Sequence, residues 1–392
     1  MKQIFKYYLI STTITFISCR SRFDSPASQK NLDYLVVDGF LNNSADSTII
    51  HLSHTTPLID DYYIDRVGEL NAHLTIEDES GNIVYTFVPA NNNGSYAVPG
   101  MSLDVNKKYR LRINTIEGNQ YLSDDIQVKT NPAIDSVSWS RTDNGLTIYA
   151  NTHDPLNNSK YYRWEYIETW DYSMYYLSEL NYLESSNSFE SRDPDDLINH
   201  CWKTVHSKEI LLASSDKLSQ DIISQKPIRF IPLNSFELTH IYSILVQQYT
   251  LTTDAFEYYQ LLKKISEETG SVFDSQPARL VGNIHCLTNQ NEIVIGYMTA
   301  TNLQSKRIFI SNNEVAPWME NVYCEPIHLA PPDSFKYYFS TERPDGQTPP
   351  RYTPVSGVYN AYGELTAVRA GIPFCTDCFR RGGTNVKPDF WP

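Results

Sequence analysis

From residue 33 to residue 130 the chain runs in short alternations of apolar and polar positions, each closed by a turn signal. "YLVVDGFL" (34–41), "STIIHLSH" (47–54), "NAHLTIED" (71–78) and "NIVYTFV" (82–88) are followed by "GSYAVPG" (94–100), "KYRLRINT" (108–115) and "YLSDDIQVKT" (121–130). The breaks "NNSADS", "ESGN", "ANNNGS" and "TIEGNQ" are rich in residues that start turns or accept positive φ. Seven short runs at this spacing predict an Ig-like antiparallel sandwich over 32–131.

"TNPAID" (130–135) reads as a linker, because Pro132 cannot donate to a ladder. A second, fibronectin-III-like or Ig-like antiparallel sandwich is predicted over 132–311. It opens with a hairpin around Asp143-Asn144-Gly145. "KYYRWEYIETW" (160–170) places Tyr162, Trp164 and Tyr166 on one face and Arg163 and Glu165 on the other. Further strands are expected at 226–233, 241–251, 278–287, 292–300 and 305–311.

Two insertions interrupt this unit. Residues 173–201 read as part helix and part polar loop. "DAFEYYQLLKKISEETG" (254–270) reads as a helix, with Asp254 and Glu257 as a capping box and Gly270 as its stop. Its buried stripe is expected at Phe256, Tyr259, Leu262 and Ser266. Residues 312–392, with "APPDS" and "RPDGQTPPRYTPVSG", predict an irregular Pro-rich cap that lacks a core of its own and must either dock on the second sandwich or stay mobile. The fold class is therefore mainly β.

Composition changes this picture in two ways. The 28 Tyr, against 16 Phe and 6 Trp, favour strands and fill sandwich cores with hydroxyls at the rim. The net charge of −14 excludes the basic footprint of a nucleic-acid binder. The first residues carry an address. Lys2 and Lys6 precede an uncharged stretch at 7–17 and then Ser18-Cys19, the layout of a secretory signal over 1–18 that is too short to span a bilayer. Ser18-Cys19 resembles a bacterial lipobox, with Phe16 and Ile17 in place of the usual Leu-Ala. Lipidation is thus expected at Cys19, followed by a polar tether over 19–31.

The stretches "THDPLNNSKYYRWEYIETW", "YSILVQQYTLTTDAFEYYQLLKKISEETGSVFDSQPARLVGNIHC", "EIVIGYMTATNLQSKRIFI" and "CTDCFRRGGTNVKPDFWP" together resemble a family of Bacteroidetes outer-membrane lipoproteins of unknown function. The resemblance runs over nearly the whole mature chain. It implies an outer-membrane location, on the periplasmic or cell-surface face, and a TonB-dependent receptor as partner. It implies no catalytic residues and no cofactor.

The residues themselves offer little catalytic chemistry. G-x-S-x-G, H-E-x-x-H, P-loop and G-x-G-x-x-G patterns are absent. His51 and His54 lie three apart in a strand, and Glu165 and Glu168 do likewise, so each pair points to opposite faces. The acidic loops 60–65 and 193–196 lack EF-hand spacing.

The cysteines are more informative. Setting Cys19 aside leaves Cys201, Cys286, Cys324, Cys375 and Cys378, an odd number in an oxidising compartment. Three chemistries are open to the C-terminal set. A redox C-x-x-C needs a helix start, which Gly382, Gly383 and Pro388 disfavour. Zinc can be held by Cys324, His328, Cys375 and Cys378. Disulfides suit the compartment: Cys324 to Cys375 or Cys378, and Cys201 to Cys286. A bridge closing a loop of about 50 residues contributes roughly 3–4 kcal/mol in the loop-entropy model, enough to fasten a tail anchored by Phe390 and Trp391.

The chain is thus expected to be a tethered binding or scaffolding lipoprotein in nutrient uptake. A surface enzyme acting on glycan or peptide, and a structural envelope protein, are the alternatives.

Overall fold

A computed structural model describes residues 33–56, 67–267, 280–318, 324–325, 327–341 and 351–392. The signal segment, Cys19, the tether, the loop 60–65 and Gly270 lie outside the described residues. The chain is mainly β, with antiparallel sheets and few helices.

In the first unit a four-stranded sheet, in the order Leu35–Gly39, Thr48–His54, Ser95–Val98, Val88–Asn91, packs on a larger sheet built around His73–Asp78 and Lys108–Asn114. Period-two alternation drives the packing. In Lys108–Asn114 the inward set Tyr109, Leu111 and Ile113 is buried while Arg110 and Arg112 face out.

This unit does not end at residue 131. Ile284–Cys286 pairs with Gln120–Ser123, and Ala300–Thr301 lies parallel between Leu41–Asn42 and Ile126–Lys129. Ile284, Cys286, Val294, Met298 and Ala300 belong to the first core. The expectation that 278–300 supplies strands to the second sandwich over 132–311 is therefore corrected. The apolar pattern of this segment asks for burial, and the open flank of the first sheet provides it.

The second unit sets the three-stranded sheet Ile134–Thr142, Gly145–Asp154, Asp221–Pro232 against a five-stranded sheet. The latter runs His200–His206, Tyr161–Ser173, Ile241–Leu251, Gln304–Ser311, with Leu211–Ser214 also paired to Tyr161–Ser173. The hairpin forms at the expected turn, with Thr142 opposite Gly145. Tyr162, Trp164 and Tyr166 are buried in its core, as the alternation requires.

The reverse face of Tyr161–Ser173 is covered rather than wet. The helix Thr253–Glu267 buries Ala255, Phe256, Tyr258 and Tyr259 there, and the Arg163 guanidinium stacks 4.6 Å from the ring centres of both Tyr249 and Tyr259. The helix begins two residues earlier than its capping-box pattern implies. Thr252 Oγ1 accepts from the Ala255 N–H at 3.3 Å, leaving Asp254 in the first turn. Ser266, expected in the buried stripe, is exposed.

The linker at 130–135 is a buried joint. The Asn131 N–H donates to Asn302 Oδ1 at 2.7 Å, and Thr250 Oγ1 donates to Asn131 Oδ1 at 2.9 Å.

The 173–201 insertion is a hairpin, Leu180–Leu183 with Ser188–Ser191, and not a helix; its one helical piece is the short turn Pro194–Asp196. The C-terminal region is also more ordered than its composition suggests. His328–Ala330, Leu365–Gly371 and Thr353–Tyr359 form a sheet. Phe335, Phe339, Val368 and Ala370 share a small core with Leu180, so the cap and the insertion bury each other's apolar residues.

Candidate functional site

The helix Thr253–Glu267 shows its apolar face to the sheet and a polar shoulder to a cleft of about 840 Å³. Lys263 and Lys264 line it from the helix, Lys226 from Asp221–Pro232, and Lys217 from the turn before that strand. Tyr161 and Phe256 form part of its floor. Asp216 and Glu257 also line it, so four ammonium groups face two carboxylates. Lys263 is engaged, donating to Ile210 O at 2.8 Å and pairing with Glu267 at 3.0 Å. Burial holds Lys226 below the usual lysine range, and the Lys263 ammonium acts in the same direction. The Lys226 ammonium has no hydrogen bond or ion pair among the described residues, although its strand pairs Lys226 with Ala150. Two further hollows, of about 340 and 550 Å³, flank the joint between the sandwiches.

The cysteines resolve into two bridges. Cys324 bonds Cys375 with Cα atoms 5.9 Å apart, one of the two expected pairings. Cys201 bonds Cys378 at 5.8 Å, which corrects the expected Cys201–Cys286 pair. Cys286 is the unpaired member. The reason is packing: Cys286 sits in the first core and Cys201 in the second. The same bonds remove the zinc reading of Cys324, His328, Cys375 and Cys378, since all three thiols are consumed. His328 instead packs against Tyr352, with ring centres 5.0 Å apart. The two cysteines of C-x-x-C bond different partners, which removes a redox dithiol as well.

The tail they hold is tied down at several points. Tyr172 Oη donates to Cys378 O at 2.7 Å, and Trp202 and Thr384 exchange backbone hydrogen bonds at 2.8 Å. Trp391 is buried against Phe309, while Phe390 lies under Arg307.

Glu165 and Glu168, expected on opposite faces of their strand, have separate partners. Glu165 pairs with Arg163 at 3.0 Å and accepts from Tyr249 Oη at 2.8 Å. Glu168 is buried between Arg229, at 3.0 Å, and Tyr242 Oη, at 2.8 Å.

One cluster has no signature in sequence spacing. Asp171, His200 and His240 converge at the end of the five-stranded sheet, and their ligand atoms all lie within 4.8 Å of one another. Burial would raise the Asp171 pKa, but His240, the Ile241 N–H and His200 hold it below the usual carboxylate range. Burial lowers His200.

No curated protein matches the chain. Among solved structures, trypsin-activated alpha-2-macroglobulin from Escherichia coli aligns at 12% identity and a TM-score of 0.19. The alignment covers 56% of this chain and 14% of that one, a likeness too slight to carry an argument. A family model described as a domain of unknown function matches residues 20–307, most of the chain, and the protein therefore belongs to the DUF4249 family.

Proposed function

We propose that this chain is a binding protein of the cell envelope, anchored to the outer membrane through an acylated Cys19, that receives an anionic solute for a TonB-dependent receptor. The observation that carries the reading is the lysine-lined cleft of about 840 Å³ on a chain whose net charge is −14. A hollow of that size suits a small molecule or a short oligomer. Clustered ammonium groups in an otherwise acidic body concentrate anions locally, and Lys acts as a point charge that accepts varied anion shapes. Tyr161 and Phe256 add an apolar floor. Support for the anchor comes from the apolar leader ending at Ser18-Cys19. The receptor partner follows from the resemblance to Bacteroidetes lipoproteins.

The test is titration of the tag-free chain with acidic oligosaccharides, sugar phosphates and acidic peptides. Saturable binding that weakens with salt, and is lost in Lys226→Glu/Lys264→Glu, is expected. Indifference of every anion to that double substitution refutes the cleft. Cys19→Ala should release the protein from membranes, and capture of the anchored protein should recover a TonB-dependent β-barrel; unchanged fractionation and recovery of no barrel overturn anchor and partner respectively.

A further inference from the structure

The strand Tyr161–Ser173 contributes Tyr161 to the lysine cleft and, ten residues on, presents Asp171 at the opposite end of the sheet, about 33 Å away at the usual strand rise. Sheet register assembles what surrounds that carboxylate. Ser173 stands opposite His200 and Asp171 opposite Trp202 on one neighbouring strand. On the other side Trp170 pairs with Tyr242, which brings the start of Ile241–Leu251, and His240 just before it, beside Asp171.

We propose that Asp171, His200 and His240 form a binding site for a divalent transition-metal cation of the zinc type.

The spacing supports coordination. His200 Nε2 and His240 Nδ1 each lie 3.5 Å from the same oxygen, Asp171 Oδ2. That exceeds the 2.7–3.2 Å of ordinary N–H···O bonds. Two ligands bound to zinc at about 2.0–2.1 Å and the tetrahedral angle stand about 3.4 Å apart, which matches both separations. The two imidazoles complete the triangle, with all three ligand atoms within 4.8 Å of one another.

The outer contacts are those a metal ligand set needs. His200 Nδ1 lies 3.0 Å from Ser173 Oγ, which directs Nε2 toward Asp171. Trp202 packs edge-on against the His200 ring at 4.7 Å. Asp171 Oδ1 accepts from the Ile241 N–H at 2.8 Å, leaving Oδ2 for the ion. Two imidazoles and a carboxylate favour a borderline cation over calcium or magnesium. Three protein ligands leave a fourth position for water or a bound molecule.

The experiment is calorimetric titration of the tag-free full chain with Zn²⁺, and with Co²⁺ to read geometry from its visible spectrum. One-to-one Zn²⁺ binding and the intense visible bands of tetrahedral Co²⁺ are expected. Both should be abolished by His240→Gln and by His200→Gln, and weakened about tenfold by Ser173→Ala. His285→Gln, which alters an exposed histidine paired with Asp124 elsewhere, leaves them intact. His240 is exposed, so its variant tests the site without disturbing the core. Absence of one-to-one binding, or binding that survives both histidine substitutions, overturns the proposal.

Discussion

Gln248 donates its side-chain amide to Asn131 Oδ1 at 3.1 Å, joining the central strand of the second sandwich to the last residue before Pro132. Both side chains are buried. The same Gln248 amide also reaches Pro132 O at 2.9 Å, and its Oε1 accepts from Trp164 Nε1 at 3.0 Å. The joint between the sandwiches is thus a satisfied polar network in an apolar setting, where a missing partner is costly. Asn131→Ala is expected to destabilise the chain by about 1–3 kcal/mol by stranding buried polar groups. Urea denaturation measures it, and an unchanged midpoint would contradict the buried-joint description.

The bridges make a prediction about mass. Digestion without reductant should yield Cys201-peptides joined to Cys378-peptides and Cys324-peptides joined to Cys375-peptides, with Cys286 recovered as a thiol. In the loop-entropy account, closures of 177 and 51 residues contribute about 5 and 4 kcal/mol. Reduction should therefore expose the tail to protease first. A Cys201–Cys286 peptide would contradict the packing described above.

Gly383 sits where no side chain fits. A Cβ there would lie 2.3 Å from Tyr172 Oη and 2.8 Å from Cys201 Cβ, while Gly382 before it adopts a left-handed φ of 78°. Gly383→Ala is expected to cost about 1–3 kcal/mol and to part Thr384 from Trp202. Faster tryptic release of the tail, with the body intact, is the readout; wild-type kinetics would count against it.

His54 gives the chain a pH dependence. Burial would lower its pKa, but Glu69 at 2.9 Å and Asp33 at 2.6 Å outweigh that, and the net shift is upward. The imidazolium is bound more tightly in the folded state. Its contribution is fully present below the unfolded value of about 6.5 and is lost as pH rises through the folded value. His54→Gln should thus reduce the difference in denaturation midpoint between pH 6 and pH 8. An identical slope in the variant would remove His54 as its source.

Local pattern carried much of the architecture. The alternation in "KYRLRIN", the hairpin at Asp143-Asn144-Gly145 and the Phe256/Tyr259 face of the helix are all where periodicity puts them. What local pattern could not supply is partnership. "GNIHCL" and "IVIGYMTA" look like strands in either sandwich, and only the tertiary fold assigns them to the first. The odd cysteine count foretold an unpaired thiol, yet which one depends on that assignment. "SMYYLSELNYL" carries aromatic and leucine spacing that suits a helix, but its apolar residues find partners across a hairpin and the cap. Asp171, His200 and His240 are separated by 29 and 40 residues and meet only through strand register.

The return of 283–301 to the first sandwich also has a temporal meaning. Val37 N donates to Ile295 O at 2.8 Å, and Ile295 N to Leu35 O at 2.9 Å, across more than half the polypeptide. A chain that emerges from its N-terminus must hold Leu35, Val37 and Leu41 in an unfinished sheet until most of the second sandwich has been synthesised. Closing contacts so distant in sequence is slow, and the open flank is a place for wrong pairing meanwhile. The first unit stays open until residue 301, just before the strand Gln304–Ser311 adds to the second.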